Sequence, residues 1–386
     1  MPRMENRPSQ RCWHVGINAH LLSGQSGYRS AGIHGYIYHL LQHLPAADPE
    51  MRYTVFVGEG RPSPAAGLAV RASRLRTGRP ALRVLWEQVA QPAHLRCAGV
   101  DLHHAMAFVA PLVAPCPTVV TVYDVSFMHY PAYFRPANRL YLRLLTGVSC
   151  RRARRVIAIS ESTARDVQAA FGVAAGRVDV AVPGVDARFF APVSAEEIAR
   201  FRQEKGLPAR FALFLGTLEP RKNLVTLLRA YAALPDRAVK LVLAGGKGWL
   251  YDEVFAAIEA LGLSGDTLTP GYVPGEELPL WYRAAEVFVY PSVYEGFGLP
   301  LLEAMACETP VIAADTSSLP EAVGDTGLLV PPADVEAWTE ALAHAIKSAG
   351  WRAEAGARGA ARARAFTWAR TAAQTVAVYR RALEAA

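Results

Sequence analysis

The chain predicts an α/β protein built from two parallel-sheet domains, and three observations carry that prediction: length, apolar content, and strand–helix alternation through both halves. At 386 residues it exceeds what one ordinary core organises and fits two domains of ordinary size. Hydrophobic residues make up 52% of it, with no low-complexity segment, which excludes a disordered chain. Alternating strand and helix patterns are the signature of parallel sheets covered by helices.

In the first half, strand-like apolar runs fall at WHVGI (13–17), YTVFV (53–57), VDLHH (100–104), TVVTVY (118–123), RVIAIS (155–160) and RVDVAV (177–182). Helical patterns lie between several of them, as in HGYIYHLLQHL (34–44) and NRLYLRLLTGVSCRRA (138–153). The second half repeats the order with FALFLG (211–216), KLVLAG (240–245), TLTPGYV (267–273), VFVYP (287–291), PVIAA (310–314) and GLLVP (327–331). Each half reads as a Rossmann-type unit. The boundary is expected between Gly184 and Lys205, where VPGVDARFFAPVSAEE shows no sustained periodicity. A final helix starts near Thr367 as its N-cap. Two such units imply a cleft, with ligands beyond the carboxyl ends of the strands.

Several classes of function drop out. The opening MPRMENRPSQRCWHVGINAH lacks a signal peptide's apolar stretch, and no apolar run reaches the ~18 residues of a membrane span. A soluble, cytoplasmic protein is expected. Five scattered cysteines, Cys12, Cys97, Cys116, Cys150 and Cys307, form no CxxC pair and argue against a disulfide framework or structural zinc. His39 and His43 stand four apart on a helix but have no third ligand nearby in sequence; no metal is expected. The early glycines Gly24, Gly27, Gly32 and Gly35 lack GxGxxG spacing, which removes a dinucleotide oxidoreductase. The net charge is +7, with arginines clustered at Arg71, Arg74, Arg76, Arg79 and Arg83 and again at Arg151, Arg152, Arg154 and Arg155. They read equally as a solvated face or as a surface for anions. Together with FMHYPAYF (127–134) they could touch an anionic bilayer, although those aromatics also fit internal packing. Nucleic acid is not an expected partner.

Two loops carry the chemistry. Gly216-Thr217-Leu218-Glu219-Pro220-Arg221-Lys222-Asn223 follows FALFLG directly. A glycine turn at a strand end allows close backbone approach, and Arg221 and Lys222 bring positive charge suited to a diphosphate. Read alone, the pair is also an ordinary solvated loop. The second loop, Glu295-Gly296-Phe297-Gly298-Leu299-Pro300-Leu301-Leu302-Glu303, follows VFVYP. Pro300 suits a first helical turn, so a helix N-terminus points at the same place. Glu295 and Glu303 are acceptors for sugar and ribose hydroxyls.

Residues 211–223 with 286–331, including EGFGLPLLEAMACETPVIAADTSSLPEAVGDTGLLVPP, closely resemble family 4 of the retaining GT-B glycosyltransferases. That family's pair of glutamates with seven residues between them is matched by Glu295 and Glu303. AGIHGYIYHLL, LWEQ, DLHH, TVYD, AISES and PGVD recur in the family's order, and the likeness is to bacterial mannosyltransferases of polysaccharide assembly. The resemblance implies a GT-B fold: two Rossmann-type domains facing across a cleft, an acceptor domain at 1–190, a donor domain at 191–366, and a C-terminal helix (367–386) crossing back. It implies hexosyl transfer from a nucleotide diphosphate sugar, with GDP-mannose preferred and UDP- or ADP-linked sugars left open, to a glycan or lipid-linked acceptor. Retention of configuration and no metal or other cofactor are part of the same expectation.

Residue by residue, the resemblance gives Arg221 and Lys222 the donor diphosphate, and Glu295 the transferred sugar. It surrounds sugar and phosphates with the amides of Gly296, Phe297, Gly298 and Leu299, gives Glu303 the ribose, and lines the base with Tyr272 and Val273. Gly216 and Thr217 border the donor, and Gly32 and Gly35 bring the first lobe's loop to the phosphates. Three departures stand out: Tyr123 where many relatives have histidine, leaving Tyr123 or Asp124 beside the sugar; Glu308 where glycine is usual; and His20 where arginine is common. His104 is expected to face the acceptor cleft, or else to cap its strand. An epimerase or sugar phosphorylase on the same fold, and an inactive partner subunit, are the competing readings.

Overall fold

The computed structural model describes residues 12–22, 32–58, 65–73, 77 and 80–384. Gly24, Gly27, Arg74, Arg76 and Arg79 lie outside the described residues. The first lobe runs β1 (His14–Asn18), α1 (Ile33–Ala47), β2 (Arg52–Val57), β3 (Leu68–Ala72), α2 (Pro80–Leu85), α3 (Gln91–Ala98), β4 (Leu102–Ala105), β5 (Thr118–Val122), α4 (Ser126–His129), α5 (Pro136–Arg152), β6 (Arg155–Ala158), α6 (Glu161–Phe171) and β7 (Val178–Val180). Its seven strands are ordered β3-β2-β1-β4-β5-β6-β7, all parallel. Strands β1, β4 and β5 are fully buried, as expected for strands covered on both faces.

The second lobe runs α7 (Ala195–Glu204), β8 (Phe211–Leu215), α8 (Leu224–Ala232), β9 (Lys240–Ala244), α9 (Asp252–Ala260), β10 (Thr267–Gly271), α10 (Leu278–Ala284), β11 (Val287–Tyr290), α11 (Leu299–Ala306), β12 (Val311–Ala314), α12 (Leu319–Val323), β13 (Leu328–Val330), α13 (Val335–Lys347) and α14 (Ala349–Ala363). Its sheet is β10-β9-β8-β11-β12-β13. The order reverses at β8, between β9 and β11, so the switch point where such sheets bind ligands lies beyond the end of β8.

The last helix, α15 (Trp368–Glu384), returns to the first lobe and packs along α1. Thr367 caps it, its Oγ1 accepting from the Arg370 amide at 3.2 Å. Arg380 reaches Asp48 at 2.7 Å, and Trp368 lies 5.4 Å from Tyr36 of α1, ring to ring. The Gly184 backbone presses on this crossing, where a Cβ would stand 2.2 Å from the Trp368 amide nitrogen.

The strand runs read from the sequence all appear, shifted by a residue or two at their ends. Two elements differ. The edge strand β3 was unmarked because LAVRA is short and mostly exposed. The expected linker contains helix α7, started by Ser194, whose Oγ accepts from the Glu197 amide at 3.1 Å. Glu308, exposed after α11 as expected, has a φ of 61°, so its left-handed backbone favours a glycine there.

Candidate donor site between the lobes

The loop after β8 carries Arg221 and Lys222 on a short 3₁₀ turn, Pro220–Lys222. The loop after β11 carries Glu295. Strand register sets the two loops side by side, because β8 and β11 are neighbours. Lys222 Nζ donates to Glu295 Oε1 at 2.5 Å and to the Tyr290 hydroxyl at 2.8 Å. Arg221 Nη1 lies 3.0 Å from Glu295 Oε2 and donates to the Tyr294 carbonyl at 2.7 Å. Its Nη2 donates to Glu219 at 2.8 Å. One carboxylate therefore bridges both cations, with Tyr290 donating to it at 3.1 Å.

Burial works against charge on Glu295, yet Arg221 and then Lys222 overcome it and hold the carboxyl at about 2. Burial lowers Lys222, and the attraction of Glu295 partly offsets that. Burial also acts on Arg221, but Glu295, Glu219 and Asp124 hold it raised. The Glu295 backbone is fixed as well, its amide donating to Ser317 Oγ at 3.0 Å and its carbonyl accepting from Ser318 Oγ at 2.8 Å.

Three loop tips close the rim. The Gly216 amide donates to the Ala244 carbonyl at 2.9 Å, and the Gly245 amide to Gly271 at 2.7 Å. A Cβ on Gly245 would stand 1.8 Å from the Gly216 carbonyl oxygen, so only glycine permits this stack. Thr217 sits against Gly248. Just past Gly271, Tyr272 is exposed while Val273 is buried.

The helix after Glu295 begins as expected, Gly298 preceding it in a left-handed conformation with no side-chain cap. Pro300 occupies the first turn, so amide donors at this end, beside Phe297, Gly298 and Leu299, remain available to an anion. Glu303, one turn along, is half-buried and accepts from the Tyr282 hydroxyl at 2.9 Å. Burial raises its carboxyl to about 7. Successive ring contacts, Tyr282 with Phe288 and Phe288 with Tyr290, link the hydroxyl partner of Glu303 to that of Glu295.

The first lobe meets this loop through backbone. A Cβ on Gly296 would lie 2.0 Å from the Tyr123 carbonyl oxygen. Thr163 Oγ1 lies 3.3 Å from both the Tyr123 and the Gly296 carbonyls. The Tyr294 hydroxyl donates to Asp166 at 2.6 Å and accepts from the Val125 amide at 3.2 Å. Glu321 caps α6 from the opposite lobe, accepting from the Glu161 and Ser162 amides at 2.8 and 2.7 Å. Asp124 accepts from Ser126 and contributes to the field at Arg221. Gly32 starts α1 with a φ of 62° and no side-chain cap, and Gly35 follows in its first turn. A Cβ at either glycine would meet nothing within 4 Å among the described residues.

Two expectations are corrected. Tyr123 does not offer its hydroxyl beside a sugar: it is buried and donates inward to the Met106 carbonyl at 2.7 Å. Asp124 alone of that pair points to the cleft's charges. His104 does not face the cleft either. Its Nδ1 pairs with the Tyr379 hydroxyl at 2.6 Å and its Nε2 with Thr121 at 2.8 Å, so it is a core residue anchoring α15. The aromatics of 127–134 turn largely inward, with Phe127 buried and Phe134 packed against it. His43 bonds to the His39 carbonyl, and no group of three metal-ligating side chains occurs among the described residues. Tyr290, Tyr282, Ser317, Ser318 and Glu321 were not singled out from sequence. Only Tyr290, a hydroxyl at a strand's carboxyl end, carried a usable signal.

Two family models match the chain: Glycosyltransferase Family 4 over residues 31–189 and Glycosyl transferases group 1 over residues 194–362. O-antigen chain mannosyltransferase B of Escherichia coli is 36% identical over 266 residues, covering 68% of this chain and 70% of that protein. A D-inositol 3-phosphate glycosyltransferase of Streptosporangium roseum is 37% identical over 239 residues, 59% of this chain and 55% of that protein. In solved structures, sucrose-phosphate synthase from Thermosynechococcus elongatus superposes with a TM-score of 0.77 at 24% identity, over 97% of this chain and all of that one. HepE of Anabaena, in complex with UDP and glucose, gives 0.73 at 23% identity, over 95% of this chain and 98% of that one.

Proposed function

The chain belongs to the family 4, group 1 glycosyltransferases with the GT-B fold, and we propose that it moves a mannosyl group from GDP-mannose to a glycan or lipid-linked acceptor, with retention of configuration and without a metal. The observation that carries the reading is the Glu295–Arg221–Lys222 cluster at the switch point of the second sheet. A buried lysine and a half-buried arginine, with an uncapped helix N-terminus on the same loop as their carboxylate partner, suit a departing diphosphate. The carboxylate between them suits a sugar hydroxyl.

In this mechanism the bond from anomeric carbon to diphosphate breaks, and the acceptor hydroxyl attacks the same face. The transition state resembles an oxocarbenium ion. Arg221, Lys222 and the amides of Gly296 to Leu299 stabilise the growing phosphate charge. A diphosphate oxygen takes the acceptor's proton, so no separate base is assigned. Glu303 holds the ribose, Tyr272 and Val273 flank the base, and Asp124 with Gly32 and Gly35 faces the reacting centre from the first lobe. The mannosyl choice is supported by the relative named O-antigen chain mannosyltransferase B and by one named serotype-specific mannosyltransferase, 32% identical over 280 residues. The role in surface-polysaccharide assembly and the cytoplasmic location belong to the same proposal.

The test is a thermal-shift panel of GDP, UDP, ADP and TDP without metal. At 100 times its dissociation constant a ligand adds ~2.7 kcal/mol of stability. Selective stabilisation by GDP, lost in Glu303→Ala, supports the reading. Selectivity for another base removes GDP-mannose, and no response to any diphosphate removes the donor site. Proton NMR of the product's anomeric coupling then decides retention.

A further inference from the structure

The aromatic side chains of 127–134 do not all behave alike. Phe127 and Phe134 pack inward, whereas Tyr130 and Tyr133 are only half-buried. Both follow β5, Tyr130 at the end of α4 and Tyr133 at the end of the 3₁₀ turn Pro131–Tyr133, so they lie beyond the carboxyl edge of the first sheet. Their rings stack in parallel, with centroids 5.6 Å apart and planes 7° apart. Tyr130 also meets the Tyr294 ring of the second lobe at 5.8 Å, and its hydroxyl donates to the Val293 carbonyl at 3.4 Å.

This pair borders the donor site without belonging to the contacts assigned there. Burial and then Tyr133 raise the Tyr130 hydroxyl, and the Arg221 charge acts against them. Tyr130 therefore stands in the field of the guanidinium that donates to the Tyr294 carbonyl. From the same lobe Asp124 also acts on Arg221. Both bonds from Ser126 go to Asp124 Oδ1, which leaves Oδ2 without a hydrogen bond among the described residues. At the Arg221 end of the cluster, the first lobe thus offers an aromatic face and a carboxylate oxygen.

In the transfer proposed above, the acceptor hydroxyl gives its proton to a diphosphate oxygen. The sugar that carries this hydroxyl then lies against the diphosphate, on the first-lobe side of Arg221. Resting on that reading, we propose that Tyr130, Tyr133 and Asp124 seat the terminal pyranose ring of the acceptor. The C–H face of a pyranose is weakly positive and settles on the negative face of an aromatic ring, while Asp124 Oδ2 accepts from a neighbouring hydroxyl. An aromatic wall with a few placed polar groups is the usual make-up of a small-molecule site. The chemistry recognised is a sugar ring, whatever anchors its other end.

The experiment is saturation-transfer NMR of the full chain with the methyl α-glycosides of mannose, glucose and galactose, each titrated with and without GDP. At least one glycoside should bind the parent. Tyr133→Ala should weaken that binding about tenfold, and Tyr133→Phe, which keeps the ring, by less than about twofold. Asp124→Asn should weaken it about tenfold through the lost charge-assisted hydrogen bond. Both Tyr133 variants should keep the parent's melting temperature and GDP affinity. In transfer assays with the bound glycoside, the Tyr133→Ala loss should fall on the acceptor KM and leave the donor KM unchanged. No glycoside binding to the parent, Tyr133→Ala binding as the parent does, or Tyr133→Phe losing as much as alanine would overturn the proposal. A parent that binds a glycoside but no GDP would count against the donor reading and leave the tyrosine seat standing.

Discussion

Replacing Glu295 by glutamine removes the carboxylate that bridges buried Lys222 and half-buried Arg221, and leaves Arg221 with Glu219 and Lys222 with the Tyr290 hydroxyl. Holding the carboxyl at about 2 instead of its ordinary 4.5 corresponds to about 3 kcal/mol of stability. That is also the scale on which breaking one side of a buried ion pair destabilises a protein. The folded-state value is depressed, so the contribution is complete above the unfolded value of 4.5 and is lost as pH falls towards 2. Urea melts of parent and Glu295→Gln should therefore differ by about 3 kcal/mol at pH 7 and by roughly half that at pH 3. In the same variant a nucleoside diphosphate should bind at least as tightly as in the parent, because its phosphates no longer compete with Glu295 for the cations. Sugar transfer should fall by about 100-fold or more. A stability difference independent of pH, or a diphosphate affinity that collapses with the carboxylate, would refute this electrostatic account.

Other consequences follow from the same contacts. Burial raises Glu303 to about 7, so its folded form holds a proton that the unfolded chain releases at lower pH, and stability is lost as pH rises from about 4.5 through 7. Glu303→Gln should accordingly match the parent near pH 4 and exceed it by about 3 kcal/mol at pH 8 in urea melts, while weakening donor binding. Gly296→Ala inserts a methyl group into the Tyr123 carbonyl; it should keep nucleotide binding but lower turnover more than tenfold, because the lobes can no longer meet. Tyr379→Phe strips the partner from the buried His104 Nδ1 and should cost about 1–3 kcal/mol of stability, with hydrogen exchange rising along α15.

The strands, their order of appearance and both charged loops were legible in the sequence, because buried parallel strands write continuous apolar runs and glycine turns punctuate them. The edge strand β3 was not, since an exposed edge carries no such run. Side-chain direction was the harder matter. Tyr123 ends a strand, where period-two alternation decides whether a hydroxyl faces cleft or core, and the residue beyond the strand no longer follows that period. His104 was read as a cleft residue or a strand cap because the hydroxyl that satisfies it, Tyr379, is 275 positions away. Likewise, Lys222 and Glu295 are 73 residues apart and were given separate ligands, diphosphate and sugar. The structure adds that they pair with each other directly. Glu321, 160 residues from the amide it caps, had no local signal at all.

The central claim is that Arg221 and Lys222 form the diphosphate site, and calorimetric titration tests it most directly. GDP and guanosine would be titrated, without metal, into the parent and into Arg221→Ala with Lys222→Ala. The account predicts that GDP affinity drops by about 100-fold or more in the variant, the size of two lost charge-assisted contacts, while guanosine binds both proteins alike. Equal GDP affinity in the two proteins would contradict it.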